Sequence, residues 1–163
     1  MFINIDSIKN NKEETILYDG ELSIYSKLNH SSIIKDIKKV SGKINLIKVN
    51  NILSLEFDLT SKLLIESAYT LKEIDYILPI KDTLYFTNEK DLESEEVFFV
   101  KSKVDLEETI YSLIITLLPL NAHGENEVLP SNDEFKVYSE DELELENEEN
   151  HDSPFDVLKD LDL

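Results

Sequence analysis

The chain contains no cysteine, no arginine and no tryptophan, and only one methionine and three glycines in 163 residues. Without cysteine there are no disulfides, no thiol nucleophile and no thiolate metal site. Without arginine there are no guanidinium forks for phosphate or guanine edges, so direct binding to DNA is not expected. The three glycines, Gly20, Gly42 and Gly124, lie far apart and form no phosphate-cradling loop. Long apolar runs are also missing. The most apolar stretch, residues 113–118, is interrupted by Thr116 and is far too short to span a bilayer. Residues 1–10 lack the basic region and apolar block of a signal peptide, so a cytoplasmic location and no membrane partner are expected.

What is present is acid. Thirty-five Asp and Glu face sixteen lysines, a net charge of −19. The distribution is uneven: residues 1–120 hold 20 acids against 14 lysines, a balance of −6, whereas residues 121–163 hold 15 against 2, a balance of −13. A polyphosphate would be repelled, and a basic partner would be attracted. Hydrophobic residues make up 41%, enough for a folded core. A folded domain is therefore expected over 1–120, a largely disordered acidic linker over 121–150, and a short amphipathic helix over 151–163.

β patterns dominate the first part. Residues 43–49 alternate imperfectly, Asn50-Asn51 offers a tight turn, and Leu53, Leu55, Phe57 and Leu59 alternate cleanly with polar residues. That spacing predicts a hairpin whose second strand extends or restarts over 62–67. Residues 74–78 and 83–86 read as further strands separated around 79–82, and 97–100 as a short apolar strand. One helix is predicted from Asp105, an N-cap with Glu108 three residues on, to Pro119. Leu106, Ile110, Leu113, Ile114 and Leu117 share one face of it. A weaker helix is expected over 31–39, where Ile33, Ile34 and Ile37 share a face. The fold class is thus α+β: a curved, mainly antiparallel sheet or partial barrel packed against one long helix.

Residues suited to catalysis are few. His30, His123 and His151 each read as surface or turn residues. His123 with Glu125 and Glu127 matches no tight metal spacing. Glu95-Glu96 and Glu107-Glu108 reflect the abundance of acids and do not mark a cleft. No serine sits in a nucleophile elbow. No catalytic residue, metal or cofactor is assigned, and the chain is expected not to be an enzyme. The C-terminal segment Ser153-Pro154-Phe155-Asp156 resembles an N-cap followed by proline. Phe155, Leu158 and Leu161 then fall on one side, beyond an acidic run that includes Glu142, Glu144 and Glu146. These six residues are the candidate partner contacts.

The hairpin is followed by Leu64-Ile65-Glu66-Ser67-Ala68-Tyr69-Thr70-Leu71, and the helix opens with Val104-Asp105-Leu106 and runs into Leu118-Pro119-Leu120. The chain closes with Ser153-Pro154-Phe155-Asp156-Val157-Leu158. This order of features resembles the YceD family, the large ribosomal RNA subunit accumulation proteins. Family members typically carry cysteines where this chain has Ser67 to Leu71 and around His123-Gly124, and Asp-Pro-Arg where it has Ser153-Pro154-Phe155. If those cysteines share a metal in the family, that feature is lost here; if the family's arginines touch RNA, that contact is lost as well. The resemblance implies a non-enzymatic factor in large ribosomal subunit assembly or rRNA accumulation, whose partner is a basic ribosomal protein or pre-ribosomal particle. The alternatives are an RNA-processing enzyme acting on ribosomal precursor and an acidic adaptor unrelated to ribosomes.

Overall fold

The computed structural model describes residues 1–22, 33–124 and 127. The chain divides into two compact units, Met1–Glu125 and Asn126–Leu163, and every strand and helix described lies in the first. Of the expected linker over 121–150, only residues 121–124 and 127 are described. The expected helix over 151–163 and the candidate contacts Phe155, Leu158, Leu161, Glu142, Glu144 and Glu146 lie outside the described residues.

The first unit is α+β. Its elements are β1 (Phe2–Asn4), β2 (Glu13–Gly20), β3 (Ile34–Val49), β4 (Ile52–Glu66), β5 (Glu73–Thr87), β6 (Val97–Phe99), β7 (Lys103–Asp105) and the helix α1 (Leu106–Leu117). Strands β2 to β6 form one sheet in sequence order, and β1 pairs with β7 in a separate two-stranded ribbon. All pairings are antiparallel except β5 with β6, which is parallel. The large sheet is not closed into a barrel: β2 and β6 are its edges.

The hairpin forms where the turn chemistry places it. Asn50 and Asn51 have φ of 49° and 65°, the left-handed pair a two-residue hairpin turn requires and asparagine tolerates. From there β3 and β4 run together for their full lengths, 16 and 15 residues, each roughly 50 Å long at ~3.4 Å per residue. Every odd position of β4 from Leu53 to Ile65 is buried and the even ones face outward. The outward face is solvated and laced with polar contacts: Thr15 donates to Asn45, which donates to Glu56.

Residues 34–39 are strand, not the weak helix that Ile33, Ile34 and Ile37 suggested. The reason is two register irregularities, between Ile34 and Asp36 and between Ile37 and Lys39. Each bulge inserts a residue, so inward side chains recur every third position as Ile34, Ile37 and Val40, all buried. A bulged strand thereby imitates helical spacing. Residues 74–86 also differ from expectation: they belong to one continuous strand, with Pro79 inside it.

The helix begins and ends as its sequence requires. The Asp105 carboxylate accepts from the Glu107 N–H at 3.1 Å, and the Leu118 N–H donates to the Ile114 carbonyl just before Pro119. Leu106, Ile110, Leu113 and Ile114 join the strand side chains in one core, burial worth about 2 kcal/mol each. The ribbon β1–β7 aims the start of α1, with Ile3 and Val104 buried beneath it. Beyond α1 the fold continues past residue 120, since Ala122 is buried and its carbonyl accepts from the Ala68 N–H at 2.9 Å. No helix among the described residues is long and apolar enough to cross a membrane.

A candidate partner-binding groove and strand edge

Two neighbouring features of β5 stand open among the described residues. The first is a groove of about 620 Å³ between α1 and the strands β5 and β6. Its floor is apolar: Leu84, Phe86, Phe98, Val100 and Leu113. Phe86 and Phe98 pack with ring centroids 5.8 Å apart, yet Phe98 remains 48% exposed, and Phe2 at the mouth is 66% exposed. Large aromatic side chains left this open are sites where association removes apolar surface from water.

The wall supplied by α1 is made of short side chains. The hydroxyls of Thr109, Ser112 and Thr116 donate to carbonyls of the preceding turn at 2.7, 3.0 and 2.9 Å. With those protons committed to the helix, the three hydroxyls have only lone pairs left to offer the groove. Its charged lining is Asp82, Asp105 and Glu108 against Lys103. Outside the groove, the 88–96 connection leading into β6 carries exposed Glu89, Asp91, Glu93, Glu95 and Glu96 against Lys90. An apolar floor within acidic walls suits an apolar side chain carried between lysines or arginines.

The second feature is the outer edge of β5. Backbone groups alternate in direction along a strand, so one residue fixes the phase of the rest. The Lys72 carbonyl accepts from Ser67 on the β4 side, and the Thr87 carbonyl accepts from Val100 on the β6 side. Even-numbered residues of β5 therefore bond to β4, and odd-numbered residues point to the outer edge. Pro79 is odd. Its missing N–H falls where no ladder bond is needed, and the strand passes through it unbroken. Strand β6 pairs only with Tyr85, Phe86 and Thr87, so from Glu73 to Thr83 this edge has no strand partner among the described residues.

A third junction joins the two segments singled out by the resemblance. Ser67 is buried, and its hydroxyl accepts from the N–H groups of Tyr69 and Thr70 at 3.1 and 3.3 Å. This shapes the β4–β5 turn, where Leu71 takes a φ of 57°. Tyr69 then stacks on His123, centroids 3.9 Å apart and planes 12° from parallel, while His123 Nδ1 donates to the Asn121 carbonyl at 2.8 Å. The turn and the post-helix segment are thus fastened by backbone bonding and ring stacking. Among the described residues, no three His, Asp or Glu side chains are grouped to hold a metal ion.

The groove joins residues from five elements, and sequence reasoning missed it because only the tertiary fold brings them together. The open edge did have a signal. A proline inside a strand-like run marks an edge strand, whereas Pro79 read as a break between two strands. The chain matches no family model, no curated protein and no solved structure.

Proposed function

We propose that this protein is a non-enzymatic, cytoplasmic factor that supports assembly of the large ribosomal subunit, or accumulation of its ribosomal RNA, by holding a basic ribosomal protein or assembly intermediate. The observation that carries the reading is the apolar groove with its acidic surroundings, in a chain whose net charge is −19. Its charge draws in a lysine- and arginine-rich partner, and its floor retains one bulky apolar side chain. The 15 acids among residues 121–163 extend that attraction, Glu142, Glu144 and Glu146 among them, with Phe155, Leu158 and Leu161 as a second apolar contact. The link to ribosomes rests on the resemblance. The meeting of the 67–71 turn with His123 is in keeping with it, because those are the segments where members of the YceD family carry their cysteines.

The test is capture from native lysate at low and high salt, with the full chain and with a variant lacking residues 139–163. Large-subunit ribosomal proteins should be recovered at low salt, lost at high salt, and reduced by the truncation. Recovery of no ribosomal component at either salt would sink the assembly reading. Capture unchanged by the truncation would remove residues 139–163 from the mechanism. Replacing Asp82 and Glu108 by lysine should weaken capture about tenfold if the groove is the seat.

A further inference from the structure

We propose that the open edge of β5 is a self-complementary interface through which two copies of this chain pair antiparallel about Ile77. The inference does not depend on the ribosomal reading. The edge displays the N–H and C=O groups of Glu73, Asp75, Ile77 and Lys81 and the carbonyl of Pro79, with no strand partner among the described residues. Ile77, at its centre, is 64% exposed on the outer face of the sheet. A two-fold axis through Ile77 sets Ile77 against Ile77, Asp75 against Pro79, and Glu73 against Lys81 twice over. Such a contact is isologous, so it closes at two copies.

Charge selects this register. Glu73 and Lys81 are both exposed, and the Lys81 ammonium stands 4.0 Å from the Asp58 carboxylate, the outer limit of an ion pair. Opposed across the pair, they form two cross-strand ion pairs. Moving the axis to Leu78 would set Lys81 against Asp75, which Lys38 already neutralises, and would place Pro79 opposite Ile77 at the centre. In the Ile77 register every outward-facing pair except Asp75–Pro79 keeps both of its backbone bonds. The same proline and charges that blunt the edge against arbitrary strands leave this one arrangement open. The net charge of −19 opposes it, so the association depends on concentration.

The absence of cysteine makes the register directly testable. Residues facing each other in a hydrogen-bonded antiparallel pair lie about 5.5 Å apart at Cα, within disulfide reach. Mild oxidation of Ile77→Cys should give a covalent dimer. Glu73→Cys should not, because its two copies stand roughly 27 Å apart in this register. Sedimentation of the full chain up to about 1 mM should show a monomer–dimer equilibrium. Ile77→Lys and Lys81→Glu should each weaken it roughly tenfold, and Glu73→Lys combined with Lys81→Glu should restore it. A chain monomeric throughout the series overturns the proposal, as does a dimer indifferent to Ile77→Lys. Equal cross-linking at positions 73 and 77 overturns the register. Protection of the β5 amides only when a lysine–valine alternating peptide is added would assign the edge to a basic strand, and the self-pairing reading would fall.

Discussion

The two edges of β5 carry the same side chains past opposite surroundings. On one, even-numbered residues bond to β4 along the whole strand, from Leu53 opposite Phe86 to Ile65 opposite Ile74. On the other, odd-numbered residues meet β6 only at the end, and Glu73 to Thr83 have no strand partner among the described residues. A single step along the chain therefore decides whether a backbone group belongs to the fold or is available to a partner. Pro79 sits in the second set, and the strand tolerates it for that reason alone.

A proline on the paired side of β5 should have the largest effect. Leu78 is buried, and its N–H points to β4 opposite Ser61. Leu78→Pro removes a ladder donor and a core side chain together. The expected cost is about 4 kcal/mol or more, and circular dichroism and urea titration should find the domain unfolded or nearly so. A cooperative transition near that of the parent chain would show that the phase assigned to β5 is wrong.

Close approach between β3 and β4 sets the next largest effect. Gly42 has a φ of +151°, and a Cβ there would stand 2.3 Å from the Asp58 carbonyl oxygen and 2.7 Å from the Leu59 Cα. Neither atom is the end of a flexible side chain, so the strands must separate. Gly42→Ala should cost about 3 kcal/mol in urea unfolding. A shift below about 1 kcal/mol would mean that the two strands do not approach so closely.

These elements also mark what was legible in advance. The β3–β4 hairpin could be read because Asn50-Asn51 and the alternation from Leu53 to Leu59 agree on one answer. The helix could be read because its cap, its apolar face and Pro119 agree as well. Residues 34–39 misled because two bulges convert a period of two into a period of three. Strand β2 offers only Ile16 and Tyr18 as apolar inward positions, next to Glu14 and Gly20, too little for periodicity to detect. The acidity of the surroundings was legible from composition. The groove it surrounds was not, because Phe2, Leu84, Phe98 and Leu113 meet only in three dimensions.

Two buried serines give smaller effects of opposite sign. The Ser67 hydroxyl accepts from two backbone N–H groups in the β4–β5 turn, so Ser67→Ala should cost about 1–2 kcal/mol. Ser61 lies on the core side of β4, and its hydroxyl is fully buried with no hydrogen-bond partner among the described residues. Ser61→Ala removes an unsatisfied polar atom and should raise stability by about 1 kcal/mol. Urea midpoints of the two variants should move in opposite directions. Loss of stability in both would show that Ser61 has a partner.

The smallest change is expected from a proline at the open edge. Ile77→Pro lies one residue from Leu78→Pro, on the same strand and with the same substituent. Its lost N–H faces the open edge, its side chain is already mostly exposed, and Pro79 shows that the strand accepts a ring in this phase. The preceding residue, Tyr76, is extended, as a residue before proline must be. Restricting φ to about −65° in a strand still carries a modest strain, so about 1 kcal/mol or less is expected. Urea titration of both prolines in parallel should separate them by about 3 kcal/mol. If the two variants unfold alike, the alternation assigned to β5 fails, and with it the open edge; if only Leu78→Pro unfolds, β5 has one structural edge and one to spare.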